Sequence, residues 1–135
     1  MKLFFASLLL VIMVSSCFND AEKRPTTATE TGTAFIRATL DGNFKNAETL
    51  LLKDDQNIAM FESYKTFYKR LPVEKKEAYK KASYTINTLT DLNDSTSIIN
   101  YSNSYMKQPM GIKVIKKDNV WSIDFKYTST DSSSN

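Results

Sequence analysis

The stretch GIKVIKKDNVWSIDF, residues 111–125, carries the pattern that decides the fold of this chain. Hydrophobic and polar residues alternate on both sides of Asp118-Asn119, a dipeptide typical of a two-residue turn between antiparallel strands. The register set by such a turn predicts four cross-strand pairs: Lys117 with Val120, Val114 with Ile123, Lys113 with Asp124, and Ile112 with Phe125.

The predicted hairpin has an apolar face and a polar face. Trp121 and Phe125 belong to the apolar face, so we expect both side chains to point toward the helices. Lys113 and Asp124 belong to the polar face, where opposite charges attract across the strands. We therefore expect Asp124 to be exposed to solvent. The same holds for Glu62, which lies opposite the apolar side of its helix.

Upstream of the hairpin, the sequence predicts two further strands, Tyr84–Leu89 and Ser97–Met106, joined across Asn93-Asp94. The segments before them have the hydrophobic spacing of helices. Helices followed by antiparallel strands are typical of the α+β class. We expect N-terminal helices packed on a curved antiparallel sheet of about four strands.

Capping residues mark the ends of the predicted helices. Gly42 has the place of a left-handed C-cap after the first helix, and Asn43 can cap a second. Asp54 or Asp55 begins a third helix, and Pro72 ends it and suits the first turn of a fourth. The predicted core stripe of the third helix recurs at steps of three and four residues: Met60, Tyr64, Phe67 and Leu71.

The N-terminal segment has the layout of a secretory signal peptide. Lys2 is followed by an apolar run, Leu3–Val14, and then by two small serines. The run is shorter than the roughly 20 residues that a membrane-spanning helix needs. The segment Val14–Cys17 resembles the lipobox of bacterial lipoproteins, in which an aliphatic residue and two small residues precede a cysteine.

This resemblance implies cleavage before Cys17, transfer of diacylglycerol to its thiol, and acylation of the new amine by a chain such as palmitate. It also implies residence in the cell envelope, and in the outer membrane, because Phe18 rather than an aspartate follows the cysteine. The alternative is an ordinary signal peptide with a leftover cysteine. The boundaries that follow are 1–16 signal peptide, 17–28 flexible tether, 29–127 a single α+β domain, and 128–135 a disordered tail.

Composition excludes several chemistries. The chain has no histidine and one cysteine, so the usual zinc, haem and iron–sulfur ligand sets are missing. Its three glycines form no phosphate-binding loop. The acidic stretch Asp91–Ser95 lacks the later residues of a calcium loop. The net charge is only +3, and lysines alternate with glutamates in the helical region. We therefore predict no metal, no cofactor and no nucleic-acid partner.

Two segments carry a second resemblance, TAFIRATLDGNFKNAETLL at 33–51 and the stretch at 111–125. With the corner Asp41–Phe44 and a tryptophan strand near the end, the chain resembles small bacterial lipoproteins with a nuclear transport factor 2-like, or cystatin-like, fold. That group includes uncharacterised and lumazine-binding-like members. The resemblance implies a curved sheet wrapped around helices as a cone, with a pocket between them.

The resemblance leaves two functions open. The first is a non-catalytic, membrane-tethered domain that binds a small apolar or aromatic molecule or an envelope protein. The second is a pocket enzyme that uses a buried carboxylate or tyrosine for proton transfer. We favour the first, because no inward-facing acid or base can be named, and we predict no enzyme. Five aromatic residues are candidates for lining the pocket: Phe35, Tyr64, Tyr101, Trp121 and Phe125.

Overall fold

The computed structural model describes residues 23–130. Four helices precede an antiparallel sheet and one short helix follows it, so the described part of the chain is α+β, as predicted. The elements are α1 (Ala28–Leu40), α2 (Phe44–Thr49), α3 (Asp55–Arg70), α4 (Val73–Lys81), β1 (Tyr84–Asn93), β2 (Thr96–Asn103), β3 (Met110–Lys117), β4 (Val120–Asp124) and α5 (Phe125–Thr130).

Local hydrogen bonds fix the ends of the helices. Thr27 and Glu30 form a capping box at the start of α1, in which each side chain accepts a hydrogen bond from the other's backbone N–H. Gly42 has a φ of +69°, and Asn43 caps α2. Asp54 caps α3. The predicted corner between the first two helices and the predicted start of the third are confirmed.

The sheet is a meander in the order β1-β2-β3-β4, with every neighbour antiparallel. Asp118 and Asn119 form the tip of the last hairpin with positive φ angles of 51° and 60°, as a two-residue hairpin turn requires. Three of the four predicted pairs are confirmed: Lys117 with Val120, Val114 with Ile123, and Lys113 with Asp124.

The fourth predicted pair, Ile112 with Phe125, is wrong. Strand β4 ends at Asp124, and Phe125 begins α5. The physical reason lies in the next residue, because the Lys126 N–H donates a hydrogen bond to Asn57 Oδ1 of α3 at 2.9 Å. The Lys126 N–H is therefore bonded to α3 and does not extend the ladder of hydrogen bonds between β3 and β4.

The expected exposure of Asp124 is also wrong. Asp124 lies on the face that the register predicted, yet only 8% of it is exposed. Two lysines cover its carboxylate, with Lys126 Nζ 3.7 Å from Oδ1 and Lys113 Nζ 4.0 Å from Oδ2. Lys126 reaches this position because the chain turns into α5 directly after the strand. Glu62 is exposed, as predicted.

A short segment of the first half of the chain covers the edge of β4. Leu51 forms a parallel bridge with Ile123. The Leu52 N–H donates to the Ile123 carbonyl at 2.9 Å, and the Ile123 N–H donates to the Leu50 carbonyl at 2.8 Å. Strand β1 forms the other edge of the sheet.

The core lies between α1 and one face of the sheet, called here the inner face. Gly32 allows α1 to approach closely, because a Cβ at this position would overlap the Ile99 side chain. The predicted stripe of α3 is partly wrong. Phe67 is 58% exposed, and Phe61 is buried in its place, because Phe61 packs on Phe35 and Phe125. The fully buried inner-face residues are Ser97, Ile99, Ile112, Val114 and Ile123.

The ends of the domain differ slightly from the predicted boundaries. Helix α1 begins at Ala28, and Arg24 is hydrogen-bonded to the domain although we predicted it within the tether. Helix α5 includes 128–130, which we predicted within the tail. The predicted signal peptide, residues 17–22 and 131–135 lie outside the described residues.

Candidate functional site

Four of the five predicted pocket residues lie together in the core. Phe35, Tyr101 and Phe125 are buried, and Tyr64 is partly buried. The ring centroids of Phe35 and Phe125 are 6.1 Å apart, and those of Tyr64 and Phe125 are 5.8 Å apart. These tilted and edge-to-face contacts are those of a packed aromatic cluster. None of the four residues lines the two clefts described below.

The buried tyrosines of this cluster are weak candidates for proton transfer. Burial raises the pKa of Tyr101 to about 12, and burial also raises the pKa of Tyr64. A general base works best with a pKa near the working pH. Both hydroxyls therefore stay protonated at neutral pH and can donate hydrogen bonds without accepting a proton.

The fifth candidate, Trp121, lies at the end of the inner face near the start of α1. It is half-buried, and Lys116 Nζ lies 5.2 Å from the centroid of its ring, within the range of a cation–π contact. Trp121 lines a cleft of about 490 Å³, called here the tryptophan cleft. The other lining residues are Thr26, Thr27, Ala28, Thr29, Leu89, Asp91, Asn93, Asp94 and Ser97.

The tryptophan cleft combines an aromatic wall with polar groups. Leu89 is 46% exposed and adds apolar surface on β1. The Ser97 hydroxyl donates a hydrogen bond to Asp91 Oδ1 at 2.6 Å, which holds that carboxylate against the sheet. A ring and an aliphatic side chain beside a few fixed polar groups are typical of sites for small molecules.

A second cleft, of about 540 Å³, lies on the other side of the N-terminal segment and is called here the arginine cleft. Its lining includes Lys23, Arg24 and Arg37, opposed by Asp41. Arg37 bonds Asp41 Oδ1 through two nitrogens and also donates to the carbonyls of Lys80 and Ala82, both at 3.0 Å. Arg37 thereby joins α1 to the end of α4.

Arg24 fixes the N-terminal segment to the domain. Its guanidinium donates to the Thr49 carbonyl at 2.7 Å, and to the Trp121 carbonyl and Ser122 Oγ at 3.3 Å each. Protein oxygens therefore use much of the hydrogen-bonding capacity of both arginines. We interpret the arginine cleft as the place where the N-terminal segment is anchored.

A charged cluster lies at the junction of β4, α3 and α5. Lys126 Nζ is 2.9 Å from Asp54 Oδ2 and 3.7 Å from Asp124 Oδ1. Hydrogen bonds, first from the backbone N–H of Asn57 and next from Lys126, lower the pKa of Asp54. Asp124 Oδ1 is buried and has no hydrogen-bond partner. Asp124 is a buried carboxylate of the kind that the predicted alternative, a pocket enzyme, would use, yet it lines neither cleft.

Sequence reasoning missed the long-range roles of Arg24, Arg37 and Asn57. Cys17, the predicted lipidation residue, lies outside the described residues. Within residues 23–130 no group of three or more histidine, cysteine, aspartate or glutamate side chains is placed to hold a metal ion. Over the same range, none of the helices combines the length and the apolarity that crossing a bilayer demands.

Comparisons with protein-family models, with curated proteins and with solved structures found no match to this chain. The resemblance to lipoproteins of the nuclear transport factor 2-like fold therefore stays a prediction.

Proposed function

We propose that this protein is a lipid-anchored lipoprotein of the bacterial cell envelope whose domain binds a ligand without catalysis. The observation that carries the anchor is the segment Val14–Cys17 after a short apolar run. Two or more acyl chains hold a protein firmly at a bilayer, because each buried CH₂ contributes about 0.8 kcal/mol. Phe18 after the cysteine favours the outer membrane.

The anchor is tested by intact-mass measurement of the protein extracted from membranes with detergent. We expect a chain that begins at Cys17 and carries acyl mass. The matched variant Cys17→Ser should lack that mass and should no longer depend on detergent for extraction. A wild-type chain with a free Cys17 thiol would contradict the proposal.

The proposed binding site is the tryptophan cleft, and the proposed ligand is a small apolar or aromatic molecule. Support comes from the Trp121 ring and the exposed part of Leu89, which face a cleft on the open part of the inner face. The proposed cone of a nuclear transport factor 2-like fold would open at this position. A partly exposed indole also offers a flat surface for stacking.

Trp121 is the only tryptophan of the chain, so energy transfer from tryptophan to a bound probe starts at this cleft, and variants of the lining test the position of the probe. The probe is N-phenyl-1-naphthylamine, a neutral aromatic molecule. We expect saturable energy transfer from Trp121 to the bound probe, and weaker binding in Leu89→Glu. The control Phe67→Glu changes another exposed apolar side chain, on α3, and should bind like wild type. Equal binding by Leu89→Glu and wild type would rule out this cleft.

The second candidate function is a pocket enzyme, and the burial of Asp124 favours it. Two lysine amines cover its carboxylate, which leaves little room for a substrate to reach it. The position of Asp124 outside both clefts is a further reason to rank this function second. A hydrolytic or isomerase activity lost in Asp124→Asn, with unchanged thermal stability, would reverse the ranking.

A further inference from the structure

The outer face of the sheet, opposite the core, changes character along its length. At the end near the turn between β2 and β3 it is polar, and Asn87 Nδ2 donates to Asn100 Oδ1 and Ser102 Oγ, both at 2.8 Å. At the other end apolar residues lie among polar ones. Four residues, one from each strand, form what we call the outer patch: Leu92, Ile98, Ile115 and Val120.

The pairing of the strands makes three of the patch residues, Ile98, Ile115 and Val120, neighbours on this face. Ile98 pairs with Lys113, which places Ile115 diagonally beside Ile98. Ile115 pairs with Ser122, which places Val120 diagonally beside Ile115. Diagonal neighbours on one face are about 7–8 Å apart, within reach of such side chains.

The outer patch is partly open to solvent. Leu92 is 59% exposed and Val120 is 39% exposed, and the two isoleucines are partly buried. A β-bulge at Leu92 shifts the register between the pairs Asp91–Ser97 and Asn93–Thr96. Asn93 pairs with Thr96, which pairs in turn with Ile115 of the outer face, so Leu92 lies at the edge of the sheet next to that face.

The N-terminal segment reaches the domain beside this patch. The Lys116 N–H donates to the Ser95 carbonyl at 2.8 Å, so the turns at 94–95 and 118–119 lie at the same end of the sheet. Arg24 bonds Ser122 Oγ on the outer face at this end. From Cys17 to Lys23 the chain has six residue steps, which span at most about 20 Å. An anchored Cys17 therefore keeps Lys23, and with it the edge of the sheet that Arg24 contacts at Ser122, close to lipid.

The charges around the patch are mixed. Lys113 and Lys117 lie on the outer face beside the patch; Lys117 is exposed and could approach lipid phosphates, whereas Lys113 lies against Asp124. Four acidic residues lie at the same end of the sheet as the patch. Asp94 and Asp118 lie at the two turns, and Asp91 and Glu30 lie on the inner side. Basic and acidic groups balance, so apolar contact rather than net charge would supply the attraction.

From these observations we infer that the outer patch docks on the bilayer that holds the acylated Cys17, an inference that rests on the proposed anchor. Tethering within about 20 Å gives an effective concentration in the millimolar range, so a weak contact is sufficient. Docking lays the outer face along the membrane and turns α1 toward the aqueous compartment.

The test uses the full mature, acylated chain in vesicles of phosphatidylethanolamine and phosphatidylglycerol. Acylation consumes the native thiol, so a cysteine introduced as Thr90→Cys, beside Ile98, takes a polarity-sensitive fluorophore at one position. We expect a blue shift and protection from aqueous iodide in vesicles. The matched label at Thr66→Cys, exposed on α3, should stay accessible to iodide.

The double variant Leu92→Glu, Val120→Glu should lose the blue shift and the protection of the Thr90→Cys label. Both side chains are exposed, and a circular dichroism melt confirms that the variant is folded. If the acylated chain with the Thr90→Cys label and no other change keeps its label accessible to iodide, docking is overturned and the anchor stays intact. If the chain carries no acyl mass, the anchor itself is overturned. Protection in native membranes but not in vesicles would assign the patch to a protein partner and overturn the lipid assignment.

Discussion

Asn57 offers the most direct test of how the helices hold the end of the sheet. It is fully buried, with Oδ1 accepting from the Lys126 N–H at 2.9 Å and Nδ2 donating to Asp54 Oδ2 at 2.8 Å. Replacement by alanine leaves the Lys126 N–H without its acceptor, at a cost of about 1–3 kcal/mol. Losing the bond to the partly exposed Asp54 adds roughly 1 kcal/mol.

We therefore expect Asn57→Ala to lower the free energy of unfolding by about 2–4 kcal/mol. For a domain of this size, that corresponds to a fall in Tm of about 10–20 °C. Urea titration and a thermal melt followed by circular dichroism measure the two quantities. Gln56→Ala, an exposed neighbour on the same helix, is the control and should change stability by less than about 0.5 kcal/mol.

Hydrogen exchange separates this explanation from a simple loss of packing. The Lys126 amide should exchange faster in Asn57→Ala than in wild type by more than the global loss of stability accounts for. A cost below about 1 kcal/mol, or an unchanged protection of the Lys126 amide relative to the core, would refute the role assigned to Asn57.

Three further predictions concern single side chains. Gly42→Ala should destabilise the domain by about 1–3 kcal/mol in urea titration, because φ is +69° and the new Cβ would lie 2.8 Å from the Tyr68 hydroxyl. Trp121→Ala should cost about 2 kcal/mol, since the indole is only half-buried and packs partly on Lys116; a cost above about 4 kcal/mol would indicate a core position. The pKa of Asp54 is lowered in the folded state. The contribution of its carboxylate to the free energy of unfolding is therefore present above the unfolded pKa of about 3.9 and is lost as the pH falls through the folded pKa. Asp54→Asn keeps a capping oxygen but has no carboxylate to protonate. It should therefore lose less stability than wild type between pH 5 and 2, about the range in which such a carboxylate titrates, as measured by urea titrations at stepped pH.

Features set by neighbouring residues could be predicted from the sequence. Gly42, Asn43 and Asp54 act on backbone groups within a few residues, and the turn Asp118-Asn119 fixes the register of the strands on both sides. The order of helices and strands, and so the α+β class, follows from the same local patterns.

Features set by distant contacts could not be predicted. The alternation of Ile123, Phe125 and Tyr127 favours a longer strand. The strand ends earlier because the Lys126 N–H donates to the side chain of Asn57, 69 residues away. The residues around Arg24 have the composition of a flexible tether. Arg24 nevertheless donates a hydrogen bond to the hydroxyl of Ser122, 98 residues further along the chain. The candidate clefts depend on such contacts, so only Trp121 among their lining residues was predicted.

The bridge between Leu51 and Ile123 also has a consequence for the order in which the chain folds. The strands form a meander of local hairpins, whereas the helices depend on β4 and α5 through Leu51, Asn57 and Arg24. Contacts of such long sequence separation form late, because closing the intervening loop costs entropy before any packing is gained. The N-terminal half therefore lacks part of its packing until the last strand has been synthesised, and a chain emerging from the ribosome completes its core only when synthesis is nearly finished.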